Sequence, residues 1–260
     1  MTGRILREEL EPGIVRVIVD NREKRNAISV AMWRELADTF RTLDADLGLR
    51  CVILRGAGDE AFGAGADISE FATTRANSVQ ARHYAEKVQE ALRAVRHCRH
   101  PVIAAIRGLC VGGGLELAVC TDLRIAGAGS RFGIPVKRLG LTVAYDELEP
   151  LVELVGRGGA MRILLEGDLF GAEEALRMGL LTRVVADEQV DAAALESARR
   201  IAEGAPLVAR WHKKFVNRLM DPRPLDESER AESYACFDTE DFRTGFRSFL
   251  QRTAPRFVGR

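Results

Sequence analysis

The sequence has no apolar run approaching the roughly 18 residues of a membrane span, no cysteine pair at CxxC spacing, no GxxxxGK[ST] loop and no GxSxG elbow. Those absences argue against a spanning helix, a zinc site, a P-loop NTPase and a serine hydrolase of the nucleophile-elbow type. An excess of one charge is also missing. The 38 Lys and Arg residues balance 38 Asp and Glu, so no global field attracts nucleic acid or an anionic membrane, and any anion has to be met locally. The five cysteines (Cys51, Cys98, Cys110, Cys120, Cys236) are odd in number and scattered, which is no disulfide framework and fits a reducing cytoplasm. The opening MTGRILREELEPG carries acids and no signal-peptide core, so the mature chain is expected to start there.

What is present is an ordinary globular composition, 47% hydrophobic and 29% charged over 260 residues, enough for a sizeable core. Ile14 to Asp20 is a β-branched run that ends in a turn at Asn21 and Arg22. A helix is predicted to open at Ser29 as N-cap, because Trp33, Leu36, Ala37 and Phe40 recur at i, i+3, i+4 and i+7. Cys51 to Arg55 reads as a buried strand. Strand, helix, strand at this spacing is the unit of a parallel sheet with helices outside. The unit recurs through a helical stretch from Val79 to His97, a strand Val102 to Ile106, a Gly-rich turn, a helix, and Leu123 to Ala126. From Glu147 onward the pattern is helical, with Val184 and Val185 as a last strand. The end of the chain holds five of the eleven phenylalanines, Phe237, Phe242, Phe246, Phe249 and Phe257; a terminal helix this apolar needs a partner.

Two segments carry chemistry. In Ala61 to Phe71 (AFGAGADISEF) the small residues Gly63, Ala64 and Gly65 permit a backbone that turns N–H groups outward, and Asp67 then starts a helix. In Gly108 to Cys120 (GLCVGGGLELAVC) three glycines open a helix whose first N–H groups and positive dipole end are free for a developing oxyanion. Glu116 lies in that first turn among Leu115, Leu117, Ala118 and Val119, either buried with purpose or facing solvent. The glycines do not match the GxGxxG dinucleotide pattern. HCRH (His97 to His100), at a helix end before Pro101, reads as a charged C-terminal turn rather than a metal cluster.

With these segments, NREKRNAIS (Asn21–Ser29), the block Val102–Ala126, FGIPVKRLGL (Phe132–Leu141), EALRMGLLTRVV (Glu174–Val185) and EDFRTGFRSFL near the end, the chain resembles the enoyl-CoA hydratase/isomerase, or crotonase, family along nearly its whole length. The resemblance implies an α/β fold, a spiral of ββα repeats over residues 1–195, with a helical C-terminal trimerisation region over 196–260, assembled as a homotrimer or as a hexamer of two trimers. It implies an acyl-CoA thioester as substrate, CoA entering as part of that substrate, and no separate cofactor or metal. The family's oxyanion hole falls on the N–H groups of Ala66 and Gly113, and its first acid/base on Glu116. Lys24, Arg25 and Ala27, with Ala64, Ala66, Asp67, Ile68 and Ser69, would line the CoA channel. Gly112, Gly113, Pro135 and Val136 would border the acyl group, and Phe249 and Arg252 would sit near the nucleotide.

One position departs from the family. Its hydratases carry a second glutamate after the proline of FG-x-P, and here that residue is Val136, which can neither give nor take a proton. Asp146 and Tyr145 are the candidates for the missing group; with Glu147 they also fit a plain acidic helix N-terminus. Three readings follow: a hydratase-like or isomerase-like enzyme using Glu116, a decarboxylase or other lyase that needs the oxyanion hole but no second base, and a non-catalytic acyl-CoA binder.

Overall fold

The computed structural model describes residues 3–260. Two strands open the chain, β1 (Arg4–Glu11) and β2 (Ile14–Asp20), as an antiparallel pair. The polar alternation of β1 suits an edge strand with one wet face. Helix α1 (Val30–Ala45) follows, capped by the Ser29 hydroxyl, which accepts from Met32 N–H at 3.3 Å. Its buried stripe of Met32, Trp33, Leu36, Ala37, Phe40 and Leu43 is the expected 3.6-residue face, and each of its large apolar side chains contributes about 1.5–3 kcal/mol through burial.

Three turns of one motif come next. A long strand is followed by a short strand of a second sheet and then by helical structure: β3 (Cys51–Gly56), β4 (Ala61–Gly63), then α2 (Phe71–Thr74) and α3 (Ser78–Arg96); β5 (Val102–Ile106), β6 (Leu109–Val111) and α4 (Gly113–Val119); β7 (Leu123–Gly127), β8 (Arg131–Gly133) and the 3₁₀ turn Val136–Leu139. The long strands lie in the order β1-β2-β3-β5-β7-β10, where β10 is Arg183–Val185, and all of these pairings after β1-β2 are parallel. The short strands pair as β4-β6-β8-β9, where β9 is Phe170–Gly171. The remaining helices are α5 (Tyr145–Glu166), α6 (Ala172–Arg177), α7 (Val190–Ala202), α8 (Pro206–Leu219), α9 (Glu227–Glu232) and α10 (Glu240–Gln251). The expected ββα repeats are therefore present, and no helix among the described residues is long and apolar enough to cross a membrane.

Period-2 alternation sorts the large sheet into two cores. Val52, Leu54, Val102, Ala104 and Ile106 face α1, α3 and α4. Cys51, Ile53, Ile103, Ala105 and Ile125 face α7 through Val190, Ala194 and Ala198. Helix α7 thus runs across position 195, and Ala198 packs in the same core as Ala194, so the expected boundary after residue 195 falls inside a core helix; the outer helical region begins at Pro206.

Candidate active site

The site is built where the second turn of the motif stacks on the first. Gly63 and Gly114 pass so closely that a Cβ on Gly114 would lie 2.2 Å from the Gly63 carbonyl oxygen; only glycine allows α4 to start against β4. Beyond β4, Ile28 and Ala66 form a single parallel bridge. Ile28 N–H donates to Gly65 O at 2.8 Å and Asp67 N–H to Ile28 O at 3.0 Å. The N–H of Ala66 itself therefore points away from Ile28. Gly112 adopts φ 51° to reverse the chain into α4, which leaves Gly113 N–H in the unpaired first turn of the helix. A Cβ placed on Gly113 would lie 3.6 Å from Ala66 N. The Ala66 and Gly113 backbones, from different loops, are thus neighbours at the N-terminus of α4.

Glu116 projects from the first turn of α4 and is only 8% exposed. Burial first, and then the charge of Glu147, push its carboxyl up to about 8, while the Arg75 guanidinium pulls in the opposite direction. Glu147, in the first turn of α5, is also raised by burial, with its carboxylate accepting from Ala144 N–H at 3.3 Å and Arg75 acting to lower it. Burial therefore biases both carboxyls toward the protonated form, and Glu116 is the more deeply buried of the two.

This corrects the sequence expectation at the second acid/base. Tyr145 is 92% exposed, and Asp146 is turned to the surface in an ion pair with Arg93 of α3. Successive helical residues point about 100° apart, and it is the charge of Glu147 that reaches Glu116. Val136 packs against the main core beside Pro135, the N-cap of its 3₁₀ turn.

The proposed channel loop is held together by polar contacts. Lys24 Nζ donates to Asp67 Oδ2 at 2.6 Å and to Ser69 Oγ at 2.9 Å. Asp67 caps the turn by accepting from Ser69 N–H; its carboxyl is held below the usual range against the desolvation that opposes this, chiefly by the Lys24 hydrogen bond. Ala64 N–H donates to Arg25 O at 3.0 Å, and Ala27 O accepts from Asn21 Nδ2 at 2.7 Å. Ile68 is 61% exposed at the loop's outer edge. Asn26 was missed by sequence reasoning. Buried and at φ 57°, its amide donates to Ala57 O and Ala61 O at 2.9 and 2.6 Å, pinning the approach to the Ala66 loop; asparagine tolerates this left-handed conformation, and the NA pair after a basic run was the available signal.

Other expected residues stand elsewhere. Phe249 is 82% exposed on α10, and Arg252 ends that helix in a left-handed conformation; α10 packs chiefly on the turn Ala235–Asp238. Phe242, Phe246 and Leu250 are exposed on the same helix. The HCRH stretch is not a charged turn throughout: His97 caps α3, but His100 is fully buried with both ring nitrogens unpartnered, and burial pushes it down to about 4.

Comparison with known proteins bears on this arrangement. The family model for enoyl-CoA hydratase/isomerase matches residues 9–260. The chain is 34% identical to the short-chain-enoyl-CoA hydratase of Clostridium acetobutylicum over 92% of each chain. It is 34% identical to the crotonyl-CoA hydratase of Syntrophomonas wolfei over 94% of each. Among solved structures, an enoyl-CoA hydratase/carnithine racemase from Magnetospirillum magneticum superposes with a TM-score of 0.96 at 44% identity, covering 98% of this chain and 96% of that one.

Proposed function

The chain belongs to the enoyl-CoA hydratase/isomerase family, and from that premise we propose that it hydrates a 2-enoyl-CoA using Glu116 and Glu147 as its acid/base pair. The observation that carries this reading is the buried Glu116 carboxyl, raised by burial and by the charge of the half-buried Glu147, beside the Ala66 and Gly113 backbone. With the thioester oxygen between those N–H groups, the carbonyl is polarised and the β-carbon becomes electrophilic. The Glu147 carboxylate takes a proton from water as its oxygen bonds to the β-carbon. The electron pair of the C=C bond moves to the enolate oxygen, where each N–H contributes about 3–4 kcal/mol of transition-state stabilisation. Glu116, the deeper group and the one held neutral, delivers its proton to the α-carbon and collapses the enolate. The pair then exchanges its proton and is reset.

Val136 favours a second reading, isomerisation of a 3-enoyl-CoA. The same two carboxyls would remove a proton from the α-carbon and return one to the γ-carbon through the same enolate, with no water to orient. The test follows crotonyl-CoA hydration and 3-butenoyl-CoA isomerisation in wild type, Glu116→Gln and Glu147→Gln. Activity that falls about 10²–10⁴-fold in both variants supports the pair; wild-type activity that survives Glu147→Gln removes Glu147 from the chemistry. The proposal carries CoA as part of the substrate, trimers formed through the exposed face of α10, and a reducing cytoplasm that suits four buried free cysteines.

A further inference from the structure

The first turn of α1 touches both segments of the proposed thioester site. On one side the buried Trp33 ring lies 3.2 Å from the position of a Cβ on Gly113. Its indole N–H donates to the Tyr84 hydroxyl of α3 at 3.1 Å, which fixes the ring against the start of α4. On the other side the Val30 N–H, one of the amides that a helix leaves unpaired at its start, donates to Glu70 Oε2 at 2.8 Å. Glu70 closes the 3₁₀ turn Ile68–Glu70, which follows Ala66 and its neighbour Asp67.

The geometry gives the Glu70 bond a specific task. Ile28 holds the chain on either side of Ala66, through Ile28 N–H to Gly65 O and Asp67 N–H to Ile28 O. Two bonds to a single residue define a line, and the loop can still swing about it. A third attachment off that line fixes the direction of the Ala66 N–H, and Glu70 supplies it. The Glu70 backbone is itself tied down, because the Thr73 and Thr74 hydroxyls donate to its carbonyl oxygen at 3.0 and 2.7 Å. Lys24 also reaches Asp67 and Ser69, but its side chain is 48% exposed, and an exposed pair of this kind constrains little. The Glu70 bond is half-buried, and its carboxylate meets the positive end of a helix dipole.

We infer that Glu70 is a positioning residue: by binding the N-terminus of α1 it holds the Ala66 N–H in place beside Gly113, which the same turn of α1 backs through Trp33. This rests on the proposed thioester site and names what sets the placement of its donors. Glu70 acts through Ala66 and takes no part in proton transfer.

The test reads the carbonyl stretch of bound butyryl-CoA, isotopically labelled at its carbonyl carbon, by difference infrared spectroscopy, with kcat and KM for crotonyl-CoA hydration measured alongside. Polarisation by two donors lowers the stretch relative to the free thioester. Glu70→Ala should lose about half of the wild-type shift, as one of two donors is misdirected, and should lower kcat about tenfold with KM within about threefold. Glu70→Gln keeps an oxygen that accepts from Val30 N–H and should retain most of both. Glu70→Asp keeps the charge but falls a methylene short, and should behave as Glu70→Ala. A Glu70→Ala protein with full shift and full kcat overturns the inference whatever its melting temperature, as does a Glu70→Gln protein that loses as much as Glu70→Ala. If Glu70→Ala fails to fold, Glu70→Asp decides by the same two readouts. A wild type without any shift removes the two-donor site itself, and the inference with it; a shifted wild type beside unaffected variants removes only the role of Glu70.

Discussion

Replacing Glu116 with glutamine should make the protein more stable, and increasingly so as the pH rises. The carboxyl ordinarily titrates near 4.5 and is pushed up to about 8 by burial and by Glu147. Between those values the folded state binds a proton that the unfolded chain has released, so folding stability falls as pH increases through the window and the full penalty is present above 8. At 1.36 kcal/mol per pH unit the elevation corresponds to about 5 kcal/mol, of which about 4 kcal/mol develops between pH 5 and pH 8.5. Glutamine keeps the shape and removes the titration. Thermal unfolding of both proteins across that range should show the variant's melting temperature advantage growing by on the order of 10 °C. A difference that stays constant with pH would refute the claim that Glu116 is a buried neutral acid. Growth in the opposite direction would mean that it is a stabilised carboxylate.

Tyr145→Phe and Asp146→Asn should leave kcat within about threefold of wild type, because both side chains face solvent or Arg93; a loss like that of Glu147→Gln in steady-state kinetics would restore them to the site. Gly114→Ala should prevent the close approach of α4 to β4, since its Cβ would meet the Gly63 carbonyl oxygen at 2.2 Å. Destabilisation of about 3 kcal/mol or more is expected in chemical denaturation, and a variant of normal stability would contradict the packing. Asn26→Ala should cost about 1–3 kcal/mol by freeing two buried carbonyls, and it should raise KM through a loosened Ala66 loop, whereas Asn26→Asp should recover none of the two donated bonds.

Much of this was legible because the signals are local and periodic. The Trp33–Phe40 spacing places α1, the β-branched VIAAI run places β5, and the glycine triplet marks the point where α4 meets β4. Other features were hidden for equally physical reasons. β1 is charged along its length and gains its place only by pairing with β2. The strands of the second sheet are two or three residues long, too short for any period to be read. The second carboxylate was placed one residue away from Glu147, because a helix's acidic first turn is evident from composition while its rotation is set by tertiary packing. His100 followed three basic or polar neighbours in sequence, yet the fold encloses it.

The most direct measurement of the central claim is uptake of deuterium at the α-carbon of butyryl-CoA in D₂O, read by mass spectrometry for wild type, Glu116→Gln and Glu147→Gln. Exchange reports formation of the enolate without any later step. The account predicts exchange by wild type and its loss by about 100-fold or more in Glu116→Gln; a wild type that exchanges nothing, or exchange that persists in both variants, would contradict it.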